Sequence, residues 1–155
     1  NKVSAGTTVN VCTAKGGTTT NVIPEHAECS VDVRFSTMEE AARIDAAIHG
    51  LKSVDKRISL EISGGINRPP MERTDAVVAL FEKARGLAAS FGYELGETQV
   101  GGASDGNFVA ALGITVLDGL GITGDGAHTL HEHILVSDIA QRATLITAML
   151  ASATL

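Results

Sequence analysis

Two adjacent prolines, Pro69 and Pro70, interrupt the chain near its middle and limit how it can fold. Proline has no backbone N–H group to donate, so no strand ladder continues through this pair. Asn67 and Arg68 precede the prolines, and the composition of the chain changes at this segment. We therefore expect two structural regions, residues 1–66 and residues 67–155.

Alternation of residue types predicts strands in the first region. Residues 7–14 and 27–35 are rich in residues that favour strands and show a period of two. A further apolar stretch, residues 58–62, predicts a third strand after an intervening helix. The order strand, strand, helix, strand is typical of a ferredoxin-like β-β-α-β domain without its first strand and helix, which leaves a sheet edge uncovered.

A helix is predicted between the second and third strands. Ser36 or Thr37 is positioned to cap it, and Glu39 and Glu40 fall in its first turn, where the helix dipole favours acidic side chains. This position favours a solvated face over a catalytic acid pair for the two glutamates. The predicted buried face comprises Ala41, Ile44, Ile48 and Leu51.

The second region alternates helices and strands, which is typical of an α/β fold. Thr74 is positioned to cap a long helix that ends at Gly92, and Ser137 to cap the last helix. A short strand is expected near residues 97–100, and the apolar run at residues 114–117 predicts another. The stripe of the long helix comprises Val77, Leu80, Phe81, Ala84, Leu87, Ala88 and Phe91, and that of the last helix Ile139, Ala143, Ile146 and Leu150. The predicted class is α/β (α+β).

The two cysteines, Cys12 and Cys29, fall in neighbouring predicted strands. Cys12 alternates with the valines of its own strand, whereas Cys29 shares the parity of Val31 and Val33. If the valines face the core, the two thiols lie on opposite faces of the sheet. Buried or half-buried thiols are therefore favoured over a disulfide.

Composition excludes several classes of protein. The chain is 44% hydrophobic and 19% charged, so it can bury a core and is not a disordered chain. The net charge is −6, basic residues form no dense cluster and aromatic residues make up 3%, which argues against nucleic acid as a partner. No apolar run approaches the roughly 18 residues that span a bilayer, so no membrane partner is expected.

Three histidines and a glutamate lie close together, at His128, His131, Glu132 and His133. Imidazole and carboxylate groups are the usual protein ligands of zinc, so this segment is a candidate metal site. Adjacent side chains diverge, however, and one short segment seldom supplies a complete site. A solvated polar loop is the alternative, and His128, at the end of a glycine-rich loop, is best placed as a single ligand.

Other polar motifs have simpler explanations as well as functional ones. Residues 101–105, Gly-Gly-Ala-Ser-Asp, precede a predicted helix, where backbone N–H groups can bind an anion. A tight turn capped by Ser104 is the simpler explanation, and the sequence alone favours it. Ser104, Asp105 and the histidines lack the G-x-S-x-G elbow of a hydrolase triad. Arg68 can bind a carboxylate through its guanidinium fork, and an ordinary surface arginine is the alternative.

Six motifs, in order along nearly the whole chain, resemble one enzyme family. They are found at residues 6–17, 21–24, 31–34, 67–71, 101–105 and 126–128 with Glu132. Each motif alone is modest, but six in register are a strong signal. The chain resembles the later half of the dizinc glutamate carboxypeptidase, aminoacylase and deacylase family.

The resemblance implies a domain organisation. Residues 1–66 correspond to a partial lid, or dimerisation, domain, and residues 67–155 to the C-terminal segment of a zinc-peptidase catalytic domain. It also implies two protein partners. One is a second copy of the chain, bound through the lid domain, and the other is the N-terminal part of the same catalytic domain.

The resemblance further implies roles for four residues. His128 matches a histidine that binds one of the two zinc ions, and Arg68 matches the arginine that binds the substrate's free carboxylate. Asn21 matches a lid asparagine that contacts the substrate's carbonyl oxygen. Ala103 occupies a position that is usually glycine, and its backbone N–H contacts the same carboxylate.

Several residues typical of the family have no counterpart. We find no His-x-Asp motif, no bridging aspartate and no Glu-Glu pair that supplies the general base, so no catalytic residue is assigned. Glu132 matches an acid with a structural role, and His131 and His133 match no required ligand. The chain is therefore interpreted as a fragment of an enzyme, inactive by itself.

The function implied is zinc-dependent hydrolysis of an amide bond, with two zinc ions in the complete site and one of their ligands in this chain. The substrate is expected to be a small molecule or peptide that ends in a carboxylate, from which a glutamate-like amino acid is released. The alternative is a non-enzymatic module that dimerises or binds a small anion.

Overall fold

A computed structural model describes Asn1 and residues 5–152, which divide into two compact units, Asn1–Glu72 and Arg73–Leu155. Within the described residues, the first unit contains two strands and one α-helix, and the second contains three α-helices and a short hairpin. The elements in chain order are β1 (Thr8–Gly16), β2 (Ala27–Arg34), α1 (Met38–His49), α2 (Asp75–Ser90), α3 (Gly106–Ala111), β3 (Gly124–Asp125), β4 (His133–Ile134) and α4 (Ile139–Ala151), with a 3₁₀ turn at Val136–Asp138. This mixture confirms the predicted α/β class.

Strands β1 and β2 form an antiparallel hairpin, as the alternation predicts. Val11 pairs with Val31 and Thr13 pairs with Ser30, so Cys12 is the extra residue of a bulge. Both cysteines are free, as expected, but the prediction that their thiols are buried or half-buried is wrong, because both are exposed. No further strand of the described chain pairs with this hairpin, and its apolar positions also remain accessible.

Helix α1 begins as the sequence predicts. Thr37 is the cap, and its hydroxyl oxygen accepts a hydrogen bond of 3.3 Å from the backbone N–H of Glu40. Ala41 and Ile44 are buried, whereas Leu51 lies beyond the helix and is exposed. The predicted solvated face is wrong for Glu40, which is buried. Its carboxylate accepts hydrogen bonds from the hydroxyl of Thr7 and from the guanidinium of Arg43.

The third predicted strand, residues 58–62, is not formed. A strand requires a neighbour for its N–H and C=O groups, and no described segment pairs with these residues. Ile58 and Leu60 accordingly remain exposed. The first unit therefore shows β-β-α of the predicted β-β-α-β pattern.

Helix α2 has the ends that the sequence predicts. Thr74 is its cap, and the hydroxyl oxygen accepts a hydrogen bond of 3.3 Å from Val77 N. At the other end, Gly92 adopts φ 76° and donates to Ala89 O at 3.1 Å, while Tyr93 N donates to Ala88 O at 3.0 Å. This pair of bonds is a Schellman motif, which places a left-handed residue after the helix and favours glycine there.

The core of the second unit lies where α2 packs against α4. Its buried members are Phe81, Ala84, Ala88, Leu95 and Leu145. The predicted stripe of α2 is thus partly confirmed, but the predicted buried face of α4 is wrong. Leu145 is fully buried, whereas Ile139, Ile146 and Leu150 of the predicted face are exposed. Apolar residues surround α4 on several sides, so periodicity alone selects no packing face.

Three further expectations for the second unit are corrected. Ser137 is not the cap of α4, because it lies inside the 3₁₀ turn and Asp138 occupies the cap position. Residues 97–100 and 114–117 form no strand, since neither has a pairing partner in the described chain. The strands of this unit are instead β3 and β4, which pair with each other.

No helix within the described ranges has both the length and the apolar character to cross a membrane.

Candidate functional site

The histidine-rich segment forms a small hairpin in the second unit. Asp125 of β3 pairs with His133 of β4, and Leu135 N donates a hydrogen bond of 2.8 Å to Thr123 O at the base. Residues 126–132 make the turn between the strands. We call residues 123–135 the histidine hairpin, and its three histidines are all exposed.

Local hydrogen bonds hold the turn of the histidine hairpin in one shape. Thr129 donates to Gly126 O twice, from its N at 3.0 Å and from its hydroxyl at 2.6 Å. Gly126 N donates to Asp125 Oδ1 at 2.7 Å. Gly126 has φ 72°, and a Cβ there would lie 2.8 Å from the His131 ring, so the position requires glycine.

His128 adopts a left-handed backbone conformation, with φ 66°. Among the described residues it is the one non-glycine residue with a positive φ. Such a conformation is costly for a side chain with a Cβ and persists where the surrounding structure imposes it, often at functional sites. Its backbone N–H faces the Glu132 carboxylate, with 3.4 Å between His128 N and Glu132 Oε2.

The His133 ring has a hydrogen-bonding partner within the hairpin. His133 Nδ1 lies 2.9 Å from His131 O, which orients the ring and leaves Nε2 facing elsewhere. Metal-bound histidines usually have their second nitrogen oriented in this way, so His133 competes with His128 as a candidate ligand. Sequence reasoning did not identify this bond, since it depends on the path of the turn.

The described residues do not contain a complete metal site. Nowhere between residues 5 and 152 do three or more histidine, cysteine, aspartate or glutamate side chains converge as a metal site requires. A structural zinc site has four protein ligands and a catalytic site usually three. The histidine hairpin therefore contains imidazole groups of the kind that zinc binds, but fewer converging ligands than a whole site requires.

The turn that follows Ala103 is explained by reciprocal capping. Ser104 Oγ accepts a hydrogen bond of 3.1 Å from Gly106 N, and Asn107 Oδ1 accepts one of 2.8 Å from Ser104 N. Asp105 precedes α3 without a side-chain cap bond. Ala103 itself is exposed just before this turn. The local geometry supports the tight-turn alternative, and the role of Ala103 in substrate binding stays a prediction.

Asn21 and Arg68 both belong to the first unit. Asn21 lies in an exposed turn between β1 and β2, and Arg68 is half-buried in the irregular segment before the two prolines. Glu72 fixes the end of that segment, because its Oε1 accepts a hydrogen bond of 2.8 Å from Met38 N in the first turn of α1. No local pattern marks Glu72 in the sequence, since its partner is distant along the chain.

Comparison with known families identifies part of the first unit. Residues 2–53 match the family model described as a peptidase dimerisation domain. This match covers β1, β2 and all of α1, the elements that form the hairpin and its helix. The first unit thus contains a segment that matches a peptidase dimerisation domain.

Individual relatives extend the match to the second unit. The chain is 35% identical over 124 residues to succinyl-diaminopimelate desuccinylase from Stutzerimonas stutzeri, covering 77% of this chain and 31% of the relative. The enzyme of the same name from Delftia acidovorans is 30% identical over 125 residues, covering 80% and 32%. The crystal structure of aminopeptidase PepT from Bacillus cereus matches with a TM-score of 0.69 and 27% identity, over 92% of this chain and 39% of that one.

These similarities confirm the resemblance drawn from the six motifs. The chain belongs to the family of metal peptidases, aminoacylases and deacylases that contains this dimerisation domain. It spans about a third of the length of the curated relatives that it matches.

Proposed function

We propose that this chain is the C-terminal portion of a zinc-dependent amidohydrolase. The complete protein hydrolyses an N-acyl or peptide bond and releases an amino acid that carries a free, glutamate-like carboxylate. The names of the relatives support this reaction class, since a desuccinylase removes a succinyl group and an aminopeptidase acts on peptides. Succinyl-diaminopimelate is itself an acylated compound with free carboxylates, which supports the class of substrate.

The conformation of His128 is the observation that carries the metal assignment. The sequence motif selects His128 among three histidines, and this same residue has φ 66° in a turn fixed by local hydrogen bonds from backbone and side-chain groups. A strained residue in a rigid turn presents its side chain in a defined direction. We assign to His128 one zinc ligand, and we assign the remaining ligands to parts of the protein outside the described residues.

Substrate binding is assigned to the three remaining predicted residues. Arg68 binds the free carboxylate, because a planar guanidinium can donate two parallel hydrogen bonds to its two oxygens. Asn21 donates its carboxamide N–H to the carbonyl oxygen of the scissile bond. Ala103 donates its backbone N–H to the carboxylate that Arg68 binds.

The lid assignment of residues 1–66 and the catalytic assignment of residues 67–155 belong to the same proposal. Two compact units, with their division near the two prolines, support it. We also propose that the protein is a homodimer that associates through the lid, and the match to a peptidase dimerisation domain supports this. The N-terminal part of the catalytic domain is the second partner.

The proposal is tested with the full-length protein and one pair of substrates. The substrates are N-acetylglutamate and its analogue in which the α-carboxylate is an amide. We expect hydrolysis of the first, loss of activity after treatment with a chelator, recovery with Zn²⁺, and a much lower kcat/KM for the amide. Equal hydrolysis of both, or activity that survives complete removal of metal, contradicts the proposal.

A further inference from the structure

Asp138 connects the base of the histidine hairpin to the start of α4. The residue ends the 3₁₀ turn Val136–Asp138 and is only 8% exposed. Its Oδ2 accepts a hydrogen bond from the hydroxyl of Thr123 and another, of 3.2 Å, from Arg142 Nε. One carboxylate thereby binds a residue of the hairpin and a residue of the helix.

Arg142 adds three contacts to this connection. Its Nη2 donates to Thr123 Oγ1 at 3.2 Å, and its Nη1 lies 3.4 Å from Gly119 O in the preceding loop. The guanidinium carbon lies 5.5 Å from the centroid of the Tyr93 ring, within the range of a cation–π contact. We call Thr123, Asp138, Arg142 and Tyr93 the Asp138 cluster.

The charge of Asp138 is well satisfied in this cluster. The hydrogen bond from Thr123, with further ones from Tyr93 and Arg142, holds the pKa of Asp138 below its ordinary value, although burial opposes this. The carboxylate is therefore ionised at neutral pH and pairs with the guanidinium. A satisfied, directional network of this kind fixes one arrangement of its members more strictly than apolar packing does.

Thr123 connects the Asp138 cluster to the base of the histidine hairpin. Its carbonyl oxygen accepts the hydrogen bond from Leu135 N that closes the hairpin base, and the next residue, Gly124, begins β3. The side chain of Thr123 is thus held by Asp138 and Arg142, and its backbone carbonyl is held by Leu135. His128 follows five residues later, in the turn that the two strands support.

The Asp138 cluster adjoins the apolar core of the unit through Tyr93, which packs against that core, but its polar members make different contacts. Arg142 and Leu145 lie near each other on α4, but Leu145 packs with Phe81, Ala84 and Ala88 while Arg142 reaches the hairpin. Burying an ion pair contributes little net stability, because desolvation offsets the attraction. We therefore assign the polar cluster a role in orientation, beside the stability that its hydrogen bonds to Asp138 contribute.

We propose that Thr123, Asp138 and Arg142 are positioning residues that fix the direction in which the histidine hairpin presents the His128 imidazole. This inference rests on the proposed function, in which His128 binds a divalent metal ion. Disruption of the cluster lets the hairpin base move against α4. A small displacement of a ligand or reacting group can cost a large factor in rate.

The test compares Thr123→Val with Thr123→Ser in the full-length protein. Valine keeps the shape of threonine but lacks the hydroxyl, whereas serine retains the hydroxyl. For Thr123→Val we expect zinc affinity, measured by competition with a chromophoric chelator, to fall about 10-fold. We also expect a lower kcat with little change in KM. Thr123→Ser is expected to restore both quantities to near those of the unmodified protein.

A second variant keeps the inference testable if Thr123→Val does not fold. Arg142→Gln removes the guanidinium from the partly exposed side of the cluster and is expected to lower zinc affinity and kcat in the same way. Thermal unfolding of each variant shows whether it is folded, and Arg142→Gln decides the question if Thr123→Val does not fold. Unchanged zinc affinity and kcat in the folded variants, or equal losses in Thr123→Ser, overturn the inference.

A third variant, His128→Ala, separates this inference from the proposed function. If His128→Ala loses zinc while Thr123→Val and Arg142→Gln keep normal affinity and kcat, the positioning inference alone is wrong. If His128→Ala retains its zinc and activity, the metal assignment is wrong, and the positioning inference falls with it. Loss of zinc in His128→Ala with weaker zinc binding in Thr123→Val supports both.

Discussion

The hydroxyl of Thr7 donates a hydrogen bond of 2.7 Å to Glu40 Oε2, and both residues are buried. The same carboxylate accepts two hydrogen bonds from Arg43, at 3.0 Å from Nε and 2.6 Å from Nη2. A buried carboxylate is tolerated when it is paired and hydrogen-bonded, and Glu40 meets both conditions. Glu40 therefore connects the residue before β1 to the first turn of α1.

This connection predicts an effect on stability. Thr7→Val removes the hydroxyl but keeps the shape of the side chain, so the free energy of unfolding should fall by about 1–3 kcal/mol. Glu39→Gln is the matched control, because Glu39 lies beside Glu40 but is exposed, and it should stay within about 0.5 kcal/mol. Urea unfolding of the full-length protein measures both. An unaltered midpoint in Thr7→Val contradicts a stabilising role for the bond.

Asp138 predicts a dependence of stability on pH. The hydrogen bond from Thr123 is the main cause that holds the pKa of Asp138 below its ordinary value of 3.8. The folded protein thus favours the ionised form, so this stabilisation is fully present above the ordinary pKa and is lost as the pH falls through the lower, folded pKa. In Asp138→Asn this loss at acidic pH should be absent. Urea midpoints recorded below about pH 4 test this, and parallel acid profiles for the two proteins contradict it.

The exposed apolar pair of the hairpin predicts a dimer contact. Val11 and Val31 face each other across β1 and β2 and are 64% and 42% exposed. A charge here should oppose burial against a second copy, so Val31→Lys is expected to shift the full-length protein towards monomer. Val54→Lys is the control, since Val54 is fully exposed outside the strands. Light scattering at high micromolar concentration measures the mass. If Val31→Lys remains dimeric, the dimer contact does not include this pair of valines.

Arg68 predicts a selective loss of substrate binding. Arg68→Lys keeps the charge but loses the guanidinium fork, so binding of a carboxylate-bearing substrate should weaken by about 1.5–3 kcal/mol. The steady-state kinetics of the full-length protein measure this loss. The amidated analogue is the control substrate, and its already weak turnover should change little. Equal losses for both substrates mean that Arg68 does not bind the carboxylate.

Helix ends were the most predictable part of the fold, because their signals are local. Thr74 and Gly92 mark the two ends of α2 in the sequence, and both make the hydrogen bonds that these residue types favour. Thr37 does the same for α1. A capping side chain binds backbone groups two or three residues away, so the sequence contains both partners.

Strands and packing faces were less predictable, because their partners are distant. Residues 58–62 have the composition of a strand, but no described segment pairs with them. On α4, Leu145 is buried instead of Ile146, although both are apolar and adjacent. Which of them faces α2 depends on how the two helices meet, and this is a property of the unit and not of the local pattern.

In the candidate site, too, local features were predictable from the sequence and contacts between distant residues were not. The glycines and His128 of the histidine hairpin form a local motif, and the sequence singles out His128 before its left-handed conformation is known. Glu72 and Asp138 carry no such local signal, since their partners Met38 and Thr123 lie 34 and 15 residues away.

The zinc content of three histidine variants of the full-length protein tests the central claim most directly. His128→Ala, His131→Ala and His133→Ala are purified in parallel, and metal is measured by elemental analysis. We expect His128→Ala to lose most of the zinc at one of two sites and most of the activity, while His131→Ala and His133→Ala retain both. Equal loss in all three variants, or selective loss in His133→Ala, contradicts the assignment of His128 as the metal ligand.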